Sequence, residues 1–247
     1  MSLFEPVLIT PLLKIPILLT RATIVQLACS PPGSPAKSDE QRRFGRGDIL
    51  TRIGAEHEAK LMQVLSWSHS ICEVAIIVAT HYPSALSDSI LSFLVPGPSS
   101  GAYKLSITPQ FLLGASLVVA GGLFRLACHR SLGRFFTWDL AVREDHKLIT
   151  TGPYSIVRHP SYTAFAIISV GNLLCMFSPG SWWRECGILG TPLGKFFAAQ
   201  WLLHWIAVPA ALAMRTPTED EVLKREFGEE WMAWAKRTPY RLIPFVY

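Results

Sequence analysis

Residues 105–124 read LSITPQFLLGASLVVAGGLF, twenty residues without a charged side chain. A helix needs about 20 apolar residues to cross the roughly 30 Å hydrocarbon core of a bilayer. Gly114, Gly121 and Gly122 lie within the stretch and would let a neighbouring helix come close. Four more apolar segments appear on either side. Residues 3–29 contain Pro6, Pro11, Lys14, Pro16 and Arg21, whose basic side chains are expected to snorkel to the headgroups. Residues 61–80 contain His69 and Glu73; Arg158 and Arg184 bracket 25 residues without Asp, Glu, Lys or Arg; and 196–214 holds 19 such residues, with Pro209 as a possible kink. The fold class expected is all-α: a multi-pass membrane protein with about five transmembrane helices and a cytosolic C-terminal amphipathic helix.

Composition agrees with that class. Half of the 247 residues are hydrophobic and only 17% are charged, against about 25% in soluble domains. Mean hydropathy is +0.30. The shortfall argues against an ordinary cytosolic enzyme, and the ample apolar surface excludes a disordered chain. The net charge of +5 fits basic cytoplasmic loops, and no compact basic patch with interleaved aromatics suggests nucleic acid. Cys29, Cys72, Cys128, Cys175 and Cys186 form no CxxC pair, so neither a disulfide framework nor a zinc site is indicated. Lys14 and Arg21 interrupt the first apolar stretch, which does not read as a cleavable signal peptide.

The basic residues set an orientation. Lys37, Arg42, Arg43, Arg46, Arg52 and Lys60 lie in 30–60; Arg130, Arg134, Arg143, Lys147 and Arg158 lie in 128–160; six more follow Met214. Residues 81–103 contain no Lys or Arg, and 178–194 only Arg184. This alternation puts the N-terminus outside and the C-terminus in the cytosol. Residues 30–47 read as a flexible linker. The run 90–95, followed by Pro96-Gly97-Pro98, is too short to span and reads as re-entrant or interfacial. Two regions result: an N-terminal membrane region, 1–104, with a cytosolic linker at about 30–60, and a core, 105–247. In the tail, Thr218 before Glu219, Asp220 and Glu221 has the form of a helix N-terminus. Val222, Leu223, Phe227, Trp231 and Trp234 then trace one apolar helical face, interrupted by Gly228 and stopped by Pro239. Such a helix suits the cytosolic membrane surface.

Two stretches are richer in special residues than structure needs. The first is HKLITTGPY (146–154) followed by RHPSY (158–162). Gly152-Pro153 marks a turn, and a Pro at a helix start leaves first-turn N–H groups aimed outward, suited to a carboxylate. The competing reading is an interfacial anchor, with Arg158 snorkelling and Tyr154 and Tyr162 in the aromatic belt. The second stretch is RTPTED (215–220). Arg215 can grip a carboxylate bidentately and Glu219 can accept from hydroxyls or an ammonium; the competing reading is a helix cap beside a positive-inside anchor.

Together, HKLITTGPYSIVRHPSY (146–162), RTPTEDEVLKREFGEEW (215–231) and the closing RTPYRLIPF (237–245) resemble the isoprenylcysteine carboxyl methyltransferase family. The likeness covers roughly residues 105–247. RHPxY is shared with related phospholipid methyltransferases and some membrane reductases. The family's tail pattern appears as Glu219, Asp220, Leu223, Phe227 and Gly228, with Asp where the family has a second Glu. The resemblance implies a cytosol-facing S-adenosylmethionine pocket at the endoplasmic reticulum, formed by His146, Lys147, Leu148, Ile149, Tyr154, His159, Pro160, Ser161, Tyr162 and Glu219. It implies that Arg215 holds the substrate carboxylate, and that the substrate is the α-carboxylate of a farnesyl- or geranylgeranyl-cysteine at the end of a prenylated protein. Asp139 stands where the family often has a Gln. The chemistry implied needs neither a metal nor a general base, because the nucleophile is already ionised. The alternatives are a phospholipid N-methyltransferase of the same superfamily and a non-catalytic membrane scaffold.

Overall fold

The uncharged stretch of residues 105–124 lies largely within a helix of 24 residues, Pro109–Leu132. The computed structural model describes residues 11–30, 32–33, 54–138, 141, 143 and 145–247. The expected linker, most of the first basic stretch, residues 3–10 and Asp139 lie outside the described residues. The helices are α1 (Lys14–Ala28), α2 (Ala55–His81), α3 (Ala85–Leu94), α4 (Pro109–Leu132), α5 (Pro160–Met176), the single turn α6 (Trp182–Glu185) and α7 (Pro192–Arg237). Among the described residues there is no strand.

Four helical stretches are long and apolar enough to cross a membrane: Pro11–Ala28, Ala55–His81, Pro109–Phe135 and Pro192–Arg237. The fourth expected span is the shorter apolar helix α5, of 17 residues. The run expected to be interfacial is α3, whose N-terminus is capped by Ser84 through the N–H of Ser87.

The tail helix has no start of its own at Thr218. It continues the fifth apolar segment: Pro192–Arg237 is helical over 46 residues with Pro209 and Pro217 inside it, divided by a kink at Gly228. Pro217 has no N–H to give to the carbonyl of Ala213, four residues back. The hydroxyl of Thr216 donates to that carbonyl instead, at 2.9 Å, so the helix passes the proline without leaving the acceptor unmet. The expected interruption is present: Gly228 has φ +52° and ψ −119°, non-helical and in the left-handed range that favours glycine.

The chain forms two compact units. The first gathers α1 up to Gln26 with Met62–Ala120 and Ile168–Trp205. Its apolar core is built around Leu18, Ile76, Ile77, Leu105 and Phe111. Here α4 and α5 meet backbone to backbone: a Cβ at Gly114 would lie 2.7 Å from the carbonyl oxygen of Gly171, and one at Gly171 would lie 2.6 Å from that of Gly114. The close packing expected of Gly114 is realised at this crossing.

The basic residues of α1 do not snorkel. Lys14 and Arg21 are fully buried. Lys14 Nζ lies 2.5 Å from Glu73 Oε1, donates to the Gly180 carbonyl at 2.8 Å and sits over the Phe111 ring. Arg21 donates to Asn172 Oδ1 and to Ser70 Oγ, both at 3.0 Å. His69 accepts from Trp183 Nε1 at 2.9 Å and turns its other ring nitrogen toward Glu73. The reason is the cost of a charge in hydrocarbon: a cation too far from the interface must find acceptors inside the bundle.

The second unit holds Gly121–Ile167 and Ile206–Tyr247 with the described part of Leu27–Leu61. The apolar face of the tail helix does not lie on a surface alone. Trp234 is buried with Cys128 and Tyr154, and Leu148, Ile149 and Trp231 pack around them. Trp234 Nε1 donates to the Tyr154 carbonyl at 3.0 Å, fastening α7 to the Gly152–Ser155 turn.

Candidate functional site

The site is assembled in the second unit from the end of α4, the loop before α5, the first turn of α5 and the polar part of α7 beyond Met214. Arg215 and Glu219 stand four residues apart on an unbroken helix and so share a face. Arg215 is 5% exposed and donates from Nη1 to the Trp138 carbonyl at 2.9 Å. Glu219 Oε2 accepts from Tyr162 Oη at 2.7 Å, and His159 Nδ1 lies 3.4 Å from the same oxygen. The His159 and Tyr162 rings stack within 7° of parallel.

Behind this group lies Asp220. Its Oδ1 is 3.0 Å from His159 Nε2. Arg158 donates to it from Nε at 3.2 and 3.3 Å and from Nη2 at 3.0 Å, and Arg241 donates from Nε at 2.8 Å. Arg158 is thus 8% exposed and paired, not a headgroup anchor. Its Nη1 also donates to the carbonyls of Thr238 and Pro239. Both ring nitrogens of His159 face carboxylates, and a neutral imidazole could donate to only one. Burial works against protonation of His159, but the Glu219 charge and the hydrogen bonds to Asp220 and Glu219 outweigh it and raise its pKa to about 8. Burial likewise opposes ionisation of Glu219, yet His159, Arg215 and the Tyr162 hydroxyl bring it down to about 2. Asp220, where the hydrogen bond from His159 outweighs burial, also falls to about 2.

Four N–H groups around Pro160 have backbone acceptors. Those of Arg158 and His159 donate to the carbonyls of Tyr240 and Arg241, and those of Tyr162 and Thr163 turn back to His159. Arg125, 2% exposed, fixes this corner by donating to the Ser161 carbonyl and hydroxyl and to the Ala28 carbonyl.

On the opposite wall, His146 stacks on Phe135 at 4.9 Å and meets the edge of Phe227. The Arg143 N–H donates to its Nδ1 at 3.3 Å. Burial, foremost, holds His146 below the ordinary histidine range. A cavity of about 780 Å³, counting its open mouth, lies between these walls. It is lined by His146, Lys147, Leu148, Ile149, Tyr154, His159, Ser161, Tyr162, Arg215 and Glu219; of the residues expected at the site, only Pro160 does not line it. Sequence reasoning passed over Leu132, Phe135, Phe136 and Trp234, which supply apolar wall. It also gave Asp220 no place in the site and did not single out Arg125. Arg125 did leave a signal: it is the first charge after the uncharged stretch, where hydrocarbon makes a charge costly.

The family model for isoprenylcysteine carboxyl methyltransferases matches residues 113–191, which contain the 146–162 stretch. The chain is 28% identical over 179 residues to protein-S-isoprenylcysteine O-methyltransferase B of Arabidopsis thaliana, covering 70% of this chain and 78% of that one. It is 32% identical over 104 residues to protein-S-isoprenylcysteine O-methyltransferase of Saccharomyces cerevisiae, covering 41% and 44%. The Homo sapiens protein of the same name is 29% identical over 143 residues, covering 57% and 43%. The chain is similar to members of the isoprenylcysteine carboxyl methyltransferase family. It is a methyltransferase with helices fit to span a membrane. In this methyltransferase two of the family-like stretches, 146–162 and 215–231, far apart in sequence, line one cavity.

Proposed function

We propose that this methyltransferase transfers a methyl group from S-adenosylmethionine to the C-terminal α-carboxylate of an S-prenylated cysteine, at the cytosolic face of the endoplasmic reticulum membrane. The observation that carries the reading is the meeting of Arg215 and Glu219 with the 146–162 stretch around one cavity. The donor set suits the cofactor: Glu219 offers carboxylate oxygen to hydroxyls or an ammonium, Lys147 a cation to a carboxylate, and Leu148, Ile149 and Phe135 flat apolar surface to a base.

When bound, S-adenosylmethionine supplies a methyl group already activated for transfer. Arg215 presents its guanidinium to the acceptor carboxylate and fixes the direction of attack. That carboxylate is ionised at neutral pH, so no side chain has to remove a proton. Leu132, Phe136 and Trp234 keep water away, which favours a step in which opposite charges cancel. The prenyl chain of the acceptor calls for lipid, which gives a soluble reaction a reason to sit at a bilayer. Five crossings, with α5 as the short fourth one and the tail of α7 in the cytosol, complete the reading; cysteine labelling that put positions 143 and 236 on opposite sides of the membrane would defeat it.

The test is methyl transfer from labelled S-adenosylmethionine, in membranes containing this chain, to a farnesylcysteine analogue and to phosphatidylethanolamine. Labelling of the farnesylcysteine carboxylate alone is the expected result. Labelling of the lipid amine would replace the reading with phospholipid methylation, and no labelling of either would remove it.

A further inference from the structure

One carboxylate in the second unit does more than pair with a neighbour. Asp220 is 4% exposed and accepts from three residues on two chain segments: Arg158 and His159 before α5, and Arg241 in the C-terminal stretch. Two of these partners, Arg158 and His159, line the cavity, while Asp220 itself does not. Its neighbour Glu219 does line the cavity, and His159 bridges the two: Nε2 faces Asp220 at 3.0 Å and Nδ1 faces Glu219 at 3.4 Å.

We propose that Asp220 is a positioning residue for the methyl-donor pocket: by holding Nε2 of His159 it turns Nδ1–H onto Glu219 and sets the carboxylate that faces the cavity. The inference rests on the reading of that cavity as the S-adenosylmethionine site. The geometry gives the chain of causes. His159 can donate to both carboxylates only as an imidazolium. The Asp220 charge stabilises that form, and Arg158 and Arg241, which share the same carboxylate, fix its plane. Glu219 is then held from two sides, by His159 and by the Tyr162 hydroxyl at 2.7 Å. The charged and titratable groups around the imidazole are Glu219 and Asp220 on α7, Tyr162 stacked upon it, Arg158 beside it, and Arg215 and Arg241 acting through the two carboxylates.

A purely structural clasp would lose strength whichever partner was removed. A clasp that works through charge responds in opposite directions. Asp220→Asn removes the anion, and the His159 titration should move to lower pH by about one pH unit, the scale of one close charge. Arg241→Gln removes a cation that competes for Asp220, and the same titration should move to higher pH. Both are read by NMR of isotope-labelled histidine in the detergent-solubilised full chain, without donor or substrate, with His159→Gln to assign the signal. S-adenosylmethionine affinity, measured by calorimetry, should fall about tenfold in Asp220→Asn and recover at least in part in Asp220→Glu. An unmoved titration in folded Asp220→Asn, or a shift of the same sign in both variants, overturns the proposal. If Asp220→Asn does not fold, Arg241→Gln, whose side chain is 31% exposed, decides alone: an unmoved or lowered titration overturns it. Failure of wild-type protein to bind S-adenosylmethionine, with the titrations behaving as expected, would instead strike the reading of the cavity and leave the role of Asp220 in setting His159 standing.

Discussion

Tyr162 and Glu219 join the start of α5 to α7 through a 2.7 Å hydrogen bond, phenol to carboxylate, at the edge of the cavity. The bond restrains an ionised acceptor in a partly buried place, where a charge-assisted hydrogen bond is strong. Glu219→Gln keeps the shape and loses the charge. Losing one hydrogen bond to a charged group costs about 1.5–3 kcal/mol, so S-adenosylmethionine affinity should fall by about tenfold or more. His159→Ala should do the same. Calorimetry on both purified variants checks this, and unchanged affinity in the pair would remove them from the proposed pocket.

Arg215 should separate turnover from donor binding. Arg215→Ala leaves the acceptor carboxylate unpaired and should cost about 2–5 kcal/mol in activity. Arg215→Lys should restore only part, since an ammonium is a point charge without the planar fork. Donor affinity should survive in both. Activity per folded molecule on a prenylcysteine acceptor is the measurement, and equality of the Lys variant with wild type would rule out the clamp.

Lys14 and Glu73 should be expensive to break one at a time. Lys14→Met or Glu73→Leu strands a buried partner, a loss of about 3–5 kcal/mol. The double variant Lys14→Met with Glu73→Leu should regain a large part of it, because a buried pair often gives way to apolar packing with little net cost. Thermal unfolding of the four proteins in one detergent gives the cycle; single variants as stable as wild type would show that the pair contributes nothing.

The His159 cluster sets a pH window. Its pKa of about 8 lies above the ordinary 6.5, so the stabilisation is complete below about pH 6.5 and is lost as pH rises through 8. Glu219 and Asp220, at about 2 against ordinary values of 4.5 and 3.8, contribute above those values and lose their contribution as pH falls toward 2. Stability should therefore be highest between about pH 4.5 and 6.5, and the alkaline loss should be on the order of 2 kcal/mol. Melting temperatures across pH 4–10 check the sign, with His159→Gln expected to flatten the alkaline side.

Hydropathy made the class legible: residues 105–124 lie largely in a helix long and apolar enough to cross a membrane, and Gly114 predicts the close crossing that it makes with Gly171. The two stretches that line the cavity were legible as well, because Gly152-Pro153, RHPSY and RTPTED combine residue types that packing alone does not require. Three things were not. The fate of Lys14 and Arg21 depended on whether Glu73 and Asn172, 59 and 151 residues away, would be within reach. The continuity of α7 depended on Thr216 replacing the N–H that Pro217 lacks, which spacing alone does not reveal because Thr218 and its acids also make a good helix start. Asp220 looked like one more acid in a first turn; its work appears only where Arg158, His159 and Arg241 converge on it. One-dimensional periodicity fixes which residues enter the membrane or face a core. Which buried charge meets which is a matter of distance in three dimensions, and only the tertiary structure decides it.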